Sequence, residues 1–105
     1  MENMAPTPED EQLAAMLHAL GNPTRLAITR YIANNPRCIC NDLVVRFDRA
    51  QATVSQHLAT LRRAHILIAE QDGPATCYWI DQEHIAWLYE QLGQLTSRSE
   101  QPETQ

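Results

Sequence analysis

Asp48-Arg49-Ala50-Gln51-Ala52-Thr53-Val54-Ser55-Gln56-His57-Leu58-Ala59-Thr60-Leu61-Arg62-Arg63-Ala64 is the stretch on which the reading of this chain turns. Val54, Leu58 and Leu61 recur at the i, i+4, i+7 spacing of a single buried helix stripe. The remaining surface of that helix shows Gln51, Thr53, Ser55, Gln56, Thr60 and Arg63, polar and mostly uncharged. Asp48-Arg49-Ala50 is a tight connection to a short preceding helix that carries Leu43, Val44 and Phe47, capped by Asn41 or Asp42. Two short helices joined in this way are followed by Ile66 to Gln71, a turn at Asp72-Gly73-Pro74, and Thr76 to Ile80, which reads as a β-hairpin.

Outward from this centre the helical signals continue. Thr7-Pro8-Glu9-Asp10 starts a helix, with a capping hydroxyl, a first-turn proline and acids at the positive helix end. Leu13, Met16, Leu17 and Leu20 carry its period, and Gly21 ends it. Asn22-Pro23 opens the next helix, with Leu26, Ile28, Tyr31 and Ile32 on its apolar side, and Asn34-Asn35-Pro36 stops it. Cys38-Ile39-Cys40 is short enough to be a brief strand. Asp81 caps a last helix bearing Ile85, Leu88, Leu92 and Leu95. The order predicts a mainly α fold with a small β-hairpin wing, a winged helix-turn-helix over residues 7–96. Residues 1–6 form a disordered arm and 97–105 a polar, disordered tail. Both terminal helices have apolar stripes in need of a partner, so a homodimer is expected.

Length and composition agree. A chain of 105 residues allows one domain, and 44% hydrophobic with 20% charged residues is ordinary for a soluble globular protein. No apolar run reaches the ~18 residues of a membrane span, and no basic-then-apolar leader opens the chain, so the expected compartment is the cytoplasm. The net charge of -5 hides a segregation. Residues 1–20 carry Glu2, Glu9, Asp10 and Glu11 and no base. Residues 21–69 carry Arg25, Arg30, Arg37, Arg46, Arg49, Arg62 and Arg63 against Asp42 and Asp48. Residues 70–105 are acidic apart from Arg98. A basic centre between acidic ends suits a DNA-reading face on an acidic body. Short polar groups read base edges and long bases hold phosphates. Gln51, Thr53, Ser55, Gln56 and His57 are of the first kind, with Gln51, Ser55 and Gln56 placed best. Arg49, Arg62 and Arg63 are of the second. A merely solvated helix face and a protein-binding winged helix are the alternatives.

Leu20-Gly21-Asn22-Pro23-Thr24-Arg25-Leu26 and Ala52 to Ala64 resemble the opening motif and recognition helix of the ArsR/SmtB metalloregulatory repressors, and Cys77-Tyr78-Trp79-Ile80 falls where that family has its wing. The resemblance runs from about residue 13 to 95. It implies a homodimeric repressor that binds an imperfect palindrome in double-stranded DNA and lets go when an inducer binds.

The three cysteines cannot all pair in one chain, which excludes a secreted disulfide scaffold. Cys38-Ile39-Cys40-Asn41-Asp42-Leu43 resembles the Cys-X-Cys element that in some family members binds thiophilic ions, and thiolates do select soft metals. A helix N-terminus lowers a thiol pKa, which favours thiolate at this position. The arsenic-sensing version carries a further cysteine where this chain has Leu43, and the cadmium and lead version adds cysteines from an N-terminal arm that here has none. Cys77 on the second hairpin strand is expected to lie across the sheet from Cys38 or Cys40. The expected inducer is therefore As(III) or Sb(III), with Cd(II) or Pb(II) as further candidates, held by Cys38, Cys40 and Cys77. The alternative is an oxidant or reactive-sulfur signal read through a disulfide of Cys77 with Cys38 or Cys40. Core filling is the plain alternative for each thiol. An enzyme is not expected, because thiol oxidoreductases use Cys-X-X-Cys beside a βαβ unit. The family's zinc-type site needs a histidine beyond His84, and none follows. His84 then reads as a surface or interface residue, and His18 and His65 as structural.

Overall fold

Thr7 starts helix α1 (Pro8–Leu20): its hydroxyl accepts from the Asp10 amide at 3.1 Å, and the Asp10 carboxylate accepts from the Thr7 amide at 3.0 Å. Asn22 starts α2 (Pro23–Asn34) by accepting from the Arg25 amide at 3.0 Å. After β1 (Cys38–Ile39) come α3 (Cys40–Phe47) and α4 (Gln51–Arg63), joined through Asp48 in the left-handed region at φ 50°. A short polar side chain tolerates that conformation. Strands β2 (Leu67–Asp72) and β3 (Ala75–Ile80) form the hairpin, and α5 (Gln82–Gly93) closes the order, with Asp81 accepting from the His84 amide at 3.2 Å. The computed structural model describes residues 4–96. Of the expected arm, residues 4–6 are exposed and outside any helix or strand; the expected tail at 97–105 lies outside the described residues.

Two expectations are corrected. Helix α3 begins at Cys40 with Ile39 at its N-cap, two or three positions ahead of the expected cap at Asn41 or Asp42. Asp42 instead sits inside the first turn and accepts from the Ile39 amide at 2.9 Å. The sheet order is β1-β3-β2, all antiparallel, with Cys38 opposite Tyr78 and Ile39 opposite Cys77. Directly opposed residues share a face and successive residues alternate. Cys77 therefore sits on the face opposite to Cys38, not beside it.

One core serves all elements. Met16, Ile28, Ile32, Leu43, Val54, Leu58, Leu61 and Ile66 are fully buried in it, and Cys38 joins their cluster. The expected stripe of α4, Val54, Leu58 and Leu61, is thus part of this core. Helix α4 ends in a Schellman motif: the Ile66 amide donates to Leu61 O at 2.9 Å and the His65 amide to Arg62 O at 3.0 Å. The terminal helices leave apolar side chains uncovered, with Leu17 42%, Tyr89 81% and Leu95 79% exposed. Among the described residues no helix is long and apolar enough to cross a membrane.

Candidate nucleic-acid interface and thiol site

Because Val54, Leu58 and Leu61 anchor α4 inward, its opposite side must face solvent. Gln51, Ser55, Gln56, Arg62 and Arg63 are exposed there, as is Arg49 ahead of the helix. Thr53 and His57 are half-buried, so they flank the face and do not head it. His57 has a separate partner: the Arg25 guanidinium on α2 lies 3.5 Å from His57 Nδ1. That same guanidinium donates to the Ala19 carbonyl at 2.7 Å and the His18 carbonyl at 3.3 Å, satisfying the end of α1. Burial, then Arg25 and Arg49, push the His57 pKa below its usual 6.5. The ring is neutral at pH 7 and serves as a strut between α2 and α4. Arg25, counted in the sequence only as part of the basic centre, is spent on helix capping.

The thiols fall into three environments. Cys38 is in the core, and burial, followed by the Asp42 charge, raises its pKa from 9.0 to about 11. The expectation of a thiolate favoured by a helix start is therefore corrected for Cys38, where desolvation outweighs the helix field. Cys40 is half-buried at the first residue of α3, and its Sγ lies 3.7 Å from Ser55 Oγ on α4. Cys77 is buried on the far face of β3, opposite Glu70 of β2. The three sulfurs do not converge: among the described residues the one group of three such ligands with all donor atoms within 4.8 Å of one another is His65, Asp81 and His84.

Tyr78 was not anticipated. It stands opposite Cys38, and its phenol pKa is raised by burial and then by the nearby Cys40. With Ser55, Leu58, Ala59, Arg62 and Arg63 it lines a cavity of about 150 Å³ between β3 and α4. Only strand register could have revealed it.

A short β-hairpin flanking a two-helix unit whose second helix shows a polar, arginine-ended face is the winged helix-turn-helix of DNA-reading proteins. Residues 22–68 match the family described as bacterial regulatory protein, arsR family. An uncharacterized HTH-type transcriptional regulator of Methanocaldococcus jannaschii is 30% identical over 86 residues, covering 81% of this chain and 96% of that protein. The chain belongs to the ArsR family. The HTH-type transcriptional repressor SmtB of Mycobacterium tuberculosis is 34% identical over 86 residues, 80% of this chain, which spans 63% of SmtB's length. The arsenical resistance operon repressor of Staphylococcus xylosus is 26% identical over 82 residues, 78% of each chain. A homodimeric winged helix-turn-helix domain from Mycobacterium bovis matches in structure with a TM-score of 0.69 at 22% identity, over 89% of each chain. These relatives of the family are transcriptional regulators, and the fold is theirs.

Proposed function

We propose that this ArsR-family regulator is a cytoplasmic, homodimeric repressor that binds a palindromic operator through α4 and is released by a trivalent arsenical at its cysteine thiols. The observation that carries the reading is the 3.7 Å contact between Cys40 Sγ and Ser55 Oγ. It joins the half-buried thiol to a residue on the exposed face of α4 without an intermediary. Gln51, Ser55 and Gln56 contact bases, with Thr53 at the edge of that set, while Arg49, Arg62 and Arg63 hold phosphates. His57 orients the helix through Arg25.

Arsenite condenses with thiols: each As–S bond forms as the thiol proton leaves with an arsenic-bound hydroxide as water. Cys38 in β1 and Cys40 at the first position of α3 supply two sulfurs. Cys77 supplies the third only if β1 and β3 shift against each other, because the register puts it on the other face. That shift, and the withdrawal of Cys40 from Ser55, give ligation a route to the spacing of two recognition helices, which must match grooves about 34 Å apart. Antimonite shares this chemistry, and Cd(II) and Pb(II) are further thiophilic candidates. The exposed Leu17, Tyr89, Leu92 and Leu95 are the surface for the second subunit. The register weighs against the disulfide alternative, since Cys38 and Cys77 point to opposite faces.

The test is fluorescence anisotropy of the reduced protein on DNA from its own upstream region, with arsenite added. Arsenite is expected to release the wild type and to leave Cys38→Ser/Cys40→Ser bound. Linkage requires DNA to weaken arsenite binding by the same factor, typically about 5- to 150-fold. Tight DNA binding that arsenite leaves untouched would sink the arsenical.

A further inference from the structure

Between the first turn of α2 and α4 lies a cleft of about 420 Å³ lined by Arg25, Gln56, His57, Ala59, Thr60 and Arg63. Two guanidiniums and an imidazole line it, and no carboxylate does. Among the described residues neither arginine pairs with an acid; the ion pairs there are Arg37 with Asp72 and His84 with Asp81. Capping fixes the Arg25 guanidinium in place without cancelling its charge, because carbonyls carry none. A guanidinium has five N–H donors. Arg25 gives one to the Ala19 carbonyl and one to the His18 carbonyl, and turns a third toward His57 Nδ1. The other N–H groups have no partner among the described residues, although the side chain is half-buried. Arg63 and Gln56 are exposed on the same cleft, and Thr60 is half-buried in it. Two cationic forks with neutral donors between them suit a phosphate, whose oxygens accept from guanidinium in parallel pairs.

We propose that this cleft seats one phosphate group of the operator backbone between Arg25 and Arg63, and that seating it draws a proton from solvent onto His57 Nδ1. The inference rests on the reading of α4 as the operator-binding helix and adds to it a contact from α2 and a dependence on pH. The groups that face His57 are Arg25 from α2, Arg49 from the connection before α4 and Arg63 from the last turn of α4. Glu11 and His18 of α1 line the adjoining groove, which shares Thr60 and Arg63 with the cleft. In the free protein the nearby cations oppose a charged imidazole, and Nδ1 accepts from Arg25. A phosphate among those cations reverses the balance, since an anion favours the protonated ring. The proton that arrives at Nδ1 turns that atom into a donor and releases the Arg25 Nη1–H to the phosphate. By linkage, the operator binds more tightly as the pH falls through the range in which the bound ring is charged and the free ring is not.

The experiment is fluorescence anisotropy of the reduced full-length protein on DNA from its own upstream region, at pH 7.5 and pH 6.0 and constant ionic strength. The wild type is expected to gain about threefold or more in affinity per chain on acidification, over and above any gain by His57→Gln. Arg25→Gln should lose that gain and lower the slope of log affinity against log salt by about one per chain. Because Arg25 also caps α1, a second measurement uses the unaltered protein. Single backbone phosphates of one half-site are replaced in turn by neutral methylphosphonates. One position is expected at which replacement both weakens binding and removes the pH gain. Inorganic phosphate at millimolar concentration should leave the complex intact, and its displacement of the DNA would overturn the assignment to the operator backbone. Tight binding with equal pH gains in wild type and His57→Gln, or a pH gain that survives every methylphosphonate, would overturn the cleft and leave the repressor reading standing. No DNA binding at either pH would overturn both.

Discussion

Helix α4 has sulfur beside its first turns and imidazole at its last. At the N-terminal end Cys40 meets Ser55, and the residues involved belong to a compact Cys-X-Cys element visible in the linear sequence. At the C-terminal end His65 meets His84 and Asp81, residues that no short motif unites. Both ends flank one hydrophobic stripe, Val54, Leu58 and Leu61, buried in the core. The difference lies in how each end is held. The sulfur end is stiffened by the core around Cys38 and Leu43, whereas the imidazole end is an exposed histidine on a strained residue. The first keeps one thiol in the core and a second half-buried beside α4; the second leaves its histidine at the surface.

The largest effect should come from removing what the two ends share. Leu58 is 1% exposed, and Leu58→Ala is expected to cost about 2–5 kcal/mol by leaving a cavity. Urea unfolding measures it, and a cost under about 1 kcal/mol would mean that α4 is not anchored as described. Next come the thiols themselves. With a pKa near 11 against 9.0, Cys38 holds about 100-fold less thiolate at neutral pH than an unperturbed cysteine. Timed iodoacetamide labelling with peptide mapping should therefore modify Cys40 well ahead of Cys38, and equal rates would remove the contrast between core and surface sulfur.

A smaller effect is expected from the exposed arginines that end α4. Arg62→Ala/Arg63→Ala should weaken operator binding about tenfold and lower the slope of log affinity against log salt by roughly two. An unchanged slope would assign the winged helix to a protein partner. The smallest effect concerns His57. Its folded-state pKa is depressed, so the unfolded chain takes up the proton more readily. The stability this neutral ring contributes is present above pH 6.5 and is lost as the pH falls below it. Melting temperatures between pH 7.5 and 5.5 should fall more for the wild type than for His57→Gln, and parallel curves would deny the ring its role between Arg25 and α4.

Much of this was legible from local chemistry. The caps at Thr7, Asn22 and Asp81 are hydrogen bonds between residues three apart, which a linear reading sees directly. The stripe of Val54, Leu58 and Leu61 is a period, and so is the hairpin's pair of apolar runs. The α3 cap was misplaced because Ile39 carries no capping group; its backbone is extended by β1 pairing, which depends on a partner strand forty residues away. The arrangement of cysteines was misjudged for the same reason. A register shift of one residue exchanges the faces of a strand, and nothing local to Cys77 sets it.

The amino-acid sequence by itself determined the order of elements, the polar outward side of α4 and the family, because helix periods, caps and turns are interactions over a few residues. Only the tertiary structure decided which side chains with chemistry meet. It separated Cys38 from Cys77, set Cys40 against Ser55, committed Arg25 to capping and brought His65 onto His84. Those contacts are fixed by strand register and by the packing of helices around a shared core, and both are properties of the whole chain at once.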